Sequence, residues 1–174
     1  MRKYIISGAA GAGKTTLIEA LNEKNYPIVS EASRQIISQE QLNSSDGMPW
    51  GNIERYSRLV YQKIVDDLIE LEEACFTDRS LIDVIAYLEY QDRAIPSSLK
   101  NFPFDKFYQK KAFVALPWED IYENDAQRPE SYNYHVQLSK KVIATYEKYN
   151  FEVIEIPFTS VDRRVDFVLE NTCL

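Results

Sequence analysis

Residues 8–15 read Gly-Ala-Ala-Gly-Ala-Gly-Lys-Thr, a match to the spacing G-x-x-x-x-G-K-[ST]. Three of the chain's five glycines, Gly8, Gly11 and Gly13, fall in these eight residues. An apolar run, Tyr4-Ile5-Ile6, comes before them, and a helix-patterned run, Thr15-Thr16-Leu17-Ile18-Glu19-Ala20-Leu21, comes after. Strand, glycine-rich turn and helix is the context this spacing requires. Glycines let successive N–H groups turn into one concavity. That concavity lies at a helix N-terminus, where the dipole favours anions. The segment Gly8, Ala9, Ala10, Gly11, Ala12, Gly13, Lys14, Thr15 and Thr16 is thus expected to wrap the phosphates of a nucleotide. Lys14 would reach the β- and γ-phosphates, and the Thr15 hydroxyl would hold Mg²⁺. The plainer alternative is a glycine-rich turn entering a helix.

The rest of the chain keeps the same alternation. The pattern predicts strands at about 3–7, 27–30, 74–77, 112–116 and 151–156. It predicts helices at about 14–24, 31–41, 51–74, 80–91 and 132–149, and a last helix capped by Thr159 or Ser160. In the long third helix Ile53, Tyr56, Val60, Ile64, Leu68 and Leu71 recur at helical spacing. The stretch 43–49 is expected as an exposed loop, 93–110 as irregular, and 119–131 as a polar segment. Strands separated by helices imply a parallel sheet covered on both faces. Right-handed crossovers put the loops after each strand on one sheet edge, outside which ligands bind. That rule selects Gly8–Thr15, Ser30–Arg34, Asp78–Arg79 and Pro117–Arg128. The 174 residues show no repeat, low-complexity tract or linker, so residues 1–174 are expected to form one nucleotide-binding domain.

The formal charge of −7 disfavours a nucleic-acid backbone as the main partner. No apolar run is long enough to span a bilayer, and the chain enters a strand at once with no room for a signal peptide. Cys75 and Cys173 make no disulfide framework, and Cys75 is expected as a buried reduced thiol. These features together suit a cytoplasmic protein. His135 is the only histidine and is expected partly exposed on a helix. Any general base is then expected to be a carboxylate.

Four positions add chemistry to the phosphate turn. Asp78 ends the third strand, where it can hold a water of Mg²⁺, and Arg79 beside it can clamp a phosphate. A salt-bridged strand end is the alternative. Glu31 ends the second strand and can accept a proton from an attacking hydroxyl, with Arg34 one helical turn on. A helix-start pair is the alternative there. Arg128 lies in a segment that could fold over the nucleotide, or is a solvated loop arginine. Trp50 follows the polar loop and is expected to line an acceptor site or, like most tryptophans, to pack in the core.

Together these segments resemble the small ATP-binding proteins of the nicotinamide riboside kinase-like AAA group. The resemblance is carried by Gly8–Thr16, Tyr26–Arg34, Phe76–Arg79 with Asp83–Leu88, and Leu116–Tyr122 with Asp125 and Arg128, and it covers nearly the whole chain. It implies a three-layer P-loop NTPase fold of kinase type, with a five-stranded, mainly parallel α/β sheet that binds ATP or GTP with Mg²⁺. Deoxynucleoside kinases look similar in having a Glu base after the second strand and an acidic-Arg pair after the third. Glu31 and Asp78-Arg79 stand at those places. The segment after the fourth strand holds one arginine where such kinases carry a cluster, and no second ATPase-ring subdomain is evident. The leading expectation is a small-molecule kinase, whose acceptor the resemblance implies to be nucleoside-like. The other is a nucleotide-dependent switch acting through a partner. No Asn-Lys-x-Asp element is present, which favours adenine over guanine. Oligomeric state is left open by the sequence.

Overall fold

A computed structural model of the protein describes residues 2–9, 11–73, 75–122 and 131–174. Five strands form one sheet: β1 (Lys3–Gly8), β2 (Ile28–Val29), β3 (Phe76–Asp78), β4 (Tyr108–Ala115) and β5 (Glu152–Ile156). Their order is β2-β3-β1-β4-β5, and every pairing is parallel. The helices are α1 (Lys14–Glu23), α2 (Ala32–Leu42), α3 (Ile53–Glu70), α4 (Leu81–Tyr90), α5 (Ser97–Lys100), α6 (Phe104–Phe107), α7 (Tyr132–Lys148) and α8 (Val161–Glu170). This is an α/β fold of the three-layer P-loop NTPase type, as the sequence predicted.

Strand alternation splits the core in two. Tyr4, Ile6, Phe76, Phe113, Ala115 and Ile156 pack with Leu17 and Leu21 of α1 and Val165 and Val168 of α8. Ile5 and Ala112 face the other way, into α2, α3, α4 and α7. The chain leaves β1 towards β2 and leaves β4 towards β5, on opposite sides of β1. This reversal opens a crevice at the carboxyl edge, where the phosphate turn sits.

Several predicted bounds shift, each for a local reason. The third helix stops at Glu70, not 74, and Leu71 is 43% exposed beyond its end. The third strand begins at Phe76; Ala74 lies outside the described residues. The stretch expected to be irregular holds α5 and α6, each starting after a proline, Pro96 and Pro103. An aromatic cluster of Phe102, Phe104, Phe107, Tyr149 and Phe151 fixes this segment and lets β4 begin at Tyr108, four residues early. A 3₁₀ turn, Glu119–Ile121, interrupts the polar segment. Ser160 is the N-cap of α8, but its side chain makes no capping bond.

His135 is buried rather than partly exposed, because the rings of Tyr122 and Tyr134 lie 5.8 and 5.4 Å from it. Cys75 is half-buried and reduced, with its thiol pushed up by burial, and Cys173 is exposed. The 43–52 loop is mostly exposed but anchored. The Glu40 carboxylate accepts from the Gly47 N–H at 2.9 Å and from Arg55 at 2.8 and 3.1 Å. No described helix is long and apolar enough to cross a membrane.

Candidate active site

The phosphate turn joins β1 to α1, and its shape follows from its glycines. Gly8 pairs with Ala115 at φ 147°, where a Cβ would lie 2.3 Å from the Ala115 carbonyl oxygen. Gly13 is the N-cap of α1 at φ 64°, in the left-handed region. Both positions exclude a side chain, and together they let the chain double back from strand to helix. The ring of Tyr122 lies over Gly11, and the Trp118 N–H donates to the Gly11 carbonyl at 3.2 Å. The turn bounds a cavity of about 250 Å³ lined by Ala9, Gly11, Ala12, Gly13, Lys14, Thr15, Thr16, Arg34, Arg79 and Ile121.

Charged side chains from three strand ends meet at this cavity. The Lys14 ammonium is buried, donates to Asp78, and lies 3.6 Å from Glu31. Glu31 is a hub: Arg79 donates to one oxygen at 2.9 Å, and Arg34 lies 3.3 Å from the other. Arg79 has φ 70°, a conformation that costs on the order of 1–3 kcal/mol in a non-glycine residue. Its N–H is tied to the Ile6 carbonyl at 2.9 Å, so the strained backbone is pinned to β1. Burial raises the Glu31 carboxyl, but Arg79, Lys14 and Arg34 outweigh it and hold the group at about 2. Asp78 moves the other way: burial pushes it above the usual carboxylate range, and Lys14 only partly offsets that.

Beneath this layer lies a buried polar network. Asp83, in the first turn of α4, accepts from Ser7 of β1, from the Ser80 N–H at 2.8 Å and from the Tyr146 hydroxyl of α7 at 2.5 Å. Its carboxylate is also 3.8 Å from Arg79. Ser7 immediately precedes the phosphate turn, so one carboxylate fastens that turn's strand to α4 and α7.

The structure therefore brings together Lys14, Thr15, Thr16, Glu31, Arg34, Asp78 and Arg79 from the predicted residues. Trp50 is not among them; it is 67% exposed and does not line the cavity. Ala10 and Arg128 lie outside the described residues. Sequence reasoning missed Asp83 as a site-supporting residue, although the capping box Ser80-x-x-Asp83 is a readable signal. It also missed Arg164, whose signal is a charge on the apolar stripe Val161, Val165 and Val168. Tyr56, buried beside Ser33, Arg79 and Glu31, looked only like a core position.

A Mg²⁺ ion fits what is present. Thr15 is exposed and lines the cavity, and Asp78 supplies a carboxylate at the neighbouring strand end. One hydroxyl and one carboxylate cannot cage a cation alone. They are the hard oxygen donors Mg²⁺ uses when phosphates and waters complete its shell. Among the described residues no group of three or more His, Cys, Asp or Glu is placed to hold a metal.

A family model described as an AAA domain matches residues 3–164. The chain belongs to this AAA-domain family. Among solved structures it is similar to a deoxyadenosine kinase from M. mycoides with bound dATP, at 16% identity and TM-score 0.65 over 97% of both chains. It is also similar to NadR in complex with NAD and AMP-PNP, at 16% identity and TM-score 0.67, and to NadR in complex with NR, at 18% and 0.67. The chain is covered to 99% in both NadR comparisons but spans only 50% and 51% of the NadR chains. At these identities the likeness is one of fold. No curated protein matches the chain. It thus shares a P-loop NTPase-type fold with these structures.

Proposed function

We propose that the protein is an ATP-dependent small-molecule kinase that transfers a phosphoryl group to a hydroxyl of a nucleoside-like metabolite. The observation that carries this reading is Glu31. It is a carboxylate 3.6 Å from the phosphate-turn lysine and flanked by Arg34 and Arg79, and all three of these partners line the cavity. A switch that only hydrolyses nucleotide has no need of a carboxylate and paired arginines on the acceptor side of its lysine.

Phosphates entering the turn would draw Lys14 away from Asp78 and Glu31. Mg²⁺, held by Thr15 and through water by Asp78, would offset charge on the phosphates. Losing Lys14 and gaining phosphate neighbours raises the Glu31 carboxyl from its resting value near 2. Glu31 then orients the acceptor hydroxyl and takes its proton as the new O–P bond forms. The bond to the β–γ bridging oxygen breaks, and ADP leaves with that electron pair. Lys14 and Arg79 neutralise the moving phosphoryl group. Arg34 and Trp50 are proposed on the acceptor side, and Arg128 over the nucleotide. The nucleoside-like class is supported by the fold shared with the dATP-bound kinase and the NR-bound NadR.

The test is a screen of hydroxyl-bearing metabolites for ATP consumption at fixed Mg²⁺, with Lys14→Ala as the control that abolishes turnover. One observation favours the switch as a second reading. Tyr122 and Ile121 rest on the turn's Gly11 and Gly13, so a nucleotide would displace them. Under that reading no acceptor speeds nucleotide use.

A further inference from the structure

Arg164 is a buried charge that no ion pair among the described residues accounts for. It lies in the first turn of α8, is 3% exposed, and has no ion-pair partner among the described residues. Its Nε has no hydrogen-bond partner among them. Its two terminal nitrogens donate to backbone carbonyls of the phosphate turn, Nη2 to Ala12 at 3.0 Å and Nη1 to Gly13 at 3.3 Å. The neighbouring stripe residues Val161, Val165 and Val168 are apolar. A buried guanidinium with no anion beside it is unfavourable, and an apolar residue would fill this place at less cost.

The two carbonyls explain why the charge is useful. In a planar trans peptide the C=O and the following N–H point in opposite directions. The Ala12 carbonyl shares its plane with the Gly13 N–H, and the Gly13 carbonyl with the Lys14 N–H. Pulling both oxygens back towards α8 aims both N–H groups forward, and Gly13 and Lys14 line the cavity. A cationic donor on each oxygen also polarises the peptide and strengthens its N–H as a donor. Gly13 admits this contact, because a Cβ there would lie 2.7 Å from Nη1. Arg164 itself does not line the cavity.

We propose that Arg164 is a positioning residue that presets the Gly13 and Lys14 N–H groups for nucleotide phosphates, its charge being balanced only when those phosphates are bound. The proposal rests on the nucleotide-binding reading of the same turn and extends it to α8, at the far end of the chain. A simple staple between α8 and the turn would affect stability but not phosphate affinity.

The test uses the full chain. Mg-ATP is titrated calorimetrically into wild type, Arg164→Gln and Arg164→Lys, with thermal midpoints measured without nucleotide. Amide proton shifts of Gly13 and Lys14 are recorded at saturation. Arg164→Gln is expected to weaken Mg-ATP at least tenfold, about 1.4 kcal/mol, and to shrink the two amide shifts. Arg164→Lys keeps the charge and is expected to recover most of the affinity. Binding by Arg164→Gln within threefold of wild type overturns the proposal while leaving the nucleotide reading intact. So does a loss that lysine does not recover at all. A wild type that binds no Mg-ATP removes the nucleotide reading and the proposal with it. Should Arg164→Gln not fold, the wild type decides alone: the Arg164 guanidinium resonances must move with the Gly13 and Lys14 amides on saturation, and resonances that stay in place overturn the proposal.

Discussion

Glu31 connects most of the charged residues at the site, and its surroundings make two outcomes testable. Glu31→Gln keeps size and hydrogen-bonding capacity but removes the basic oxygen pair. It is expected to leave ATP affinity near wild type and to lower acceptor turnover roughly 10²–10⁴-fold in single-turnover kinetics. Wild-type turnover would make Glu31 a helix-start residue only. The second outcome concerns pH. The folded-state value near 2 lies below the ordinary 4.5, so Glu31 contributes stability that is full above about 4.5 and is lost as pH falls towards 2. Asp78, raised by burial, runs in the opposite sense. The stability difference between wild type and Glu31→Gln, from denaturant titrations, isolates the Glu31 part and should shrink from pH 5 to pH 2. At this scale the sequence was informative wherever a residue closes a strand. The glycine-lysine spacing marked Lys14, and the sheet-edge rule brought Glu31, Asp78 and Arg79 to the same edge. Asp83 and Arg164 were not, because their partners Ser7 and Ala12 are 76 and 152 residues away and only the fold brings them near. Trp50 is exposed rather than packed in the core, and nothing in its local pattern says which way a loop tryptophan points.

Among the elements, α4 and α7 have the most to lose from a single atom. The Tyr146 hydroxyl is fully buried, donates to Asp83 and lies 2.9 Å from Ser80 Oγ. Tyr146→Phe leaves a buried carboxylate one donor short and is expected to destabilise the protein by about 1.5–3 kcal/mol. Because Asp83 also holds Ser7 and faces Arg79, the variant should weaken nucleotide binding as well; denaturant unfolding and calorimetry measure the two effects. An unchanged midpoint would mean that the network is not held as described. Helix and strand positions were legible where apolar spacing was regular, as along Tyr56, Val60, Ile64 and Leu68. Their ends were not. The residues after Glu70 carry no glycine or proline to mark the stop of α3, and β4 starts early because aromatic packing of Phe102, Phe104 and Phe107, not local propensity, fixes the segment before it.

For the whole molecule, the all-parallel sheet follows from strand–helix alternation, whereas the order β2-β3-β1-β4-β5 required the structure. That order puts β1 in the middle and gathers the ends of β1, β2 and β3 around one cavity. The missing guanine-reading element leads to the expectation that ATP binds more tightly than GTP; competition titration at one Mg²⁺ concentration checks it, and a tenfold GTP preference would reverse it. The central claim is phosphoryl transfer to a small hydroxyl acceptor, and the destination of the γ-phosphoryl group tests it most directly. Phosphorus NMR of Mg-ATP turnover with a panel of ribosylated metabolites is expected to show phosphate esterified to one acceptor, formed as fast as ADP. Inorganic phosphate alone, released slowly and at one rate across the whole panel, would contradict the kinase account.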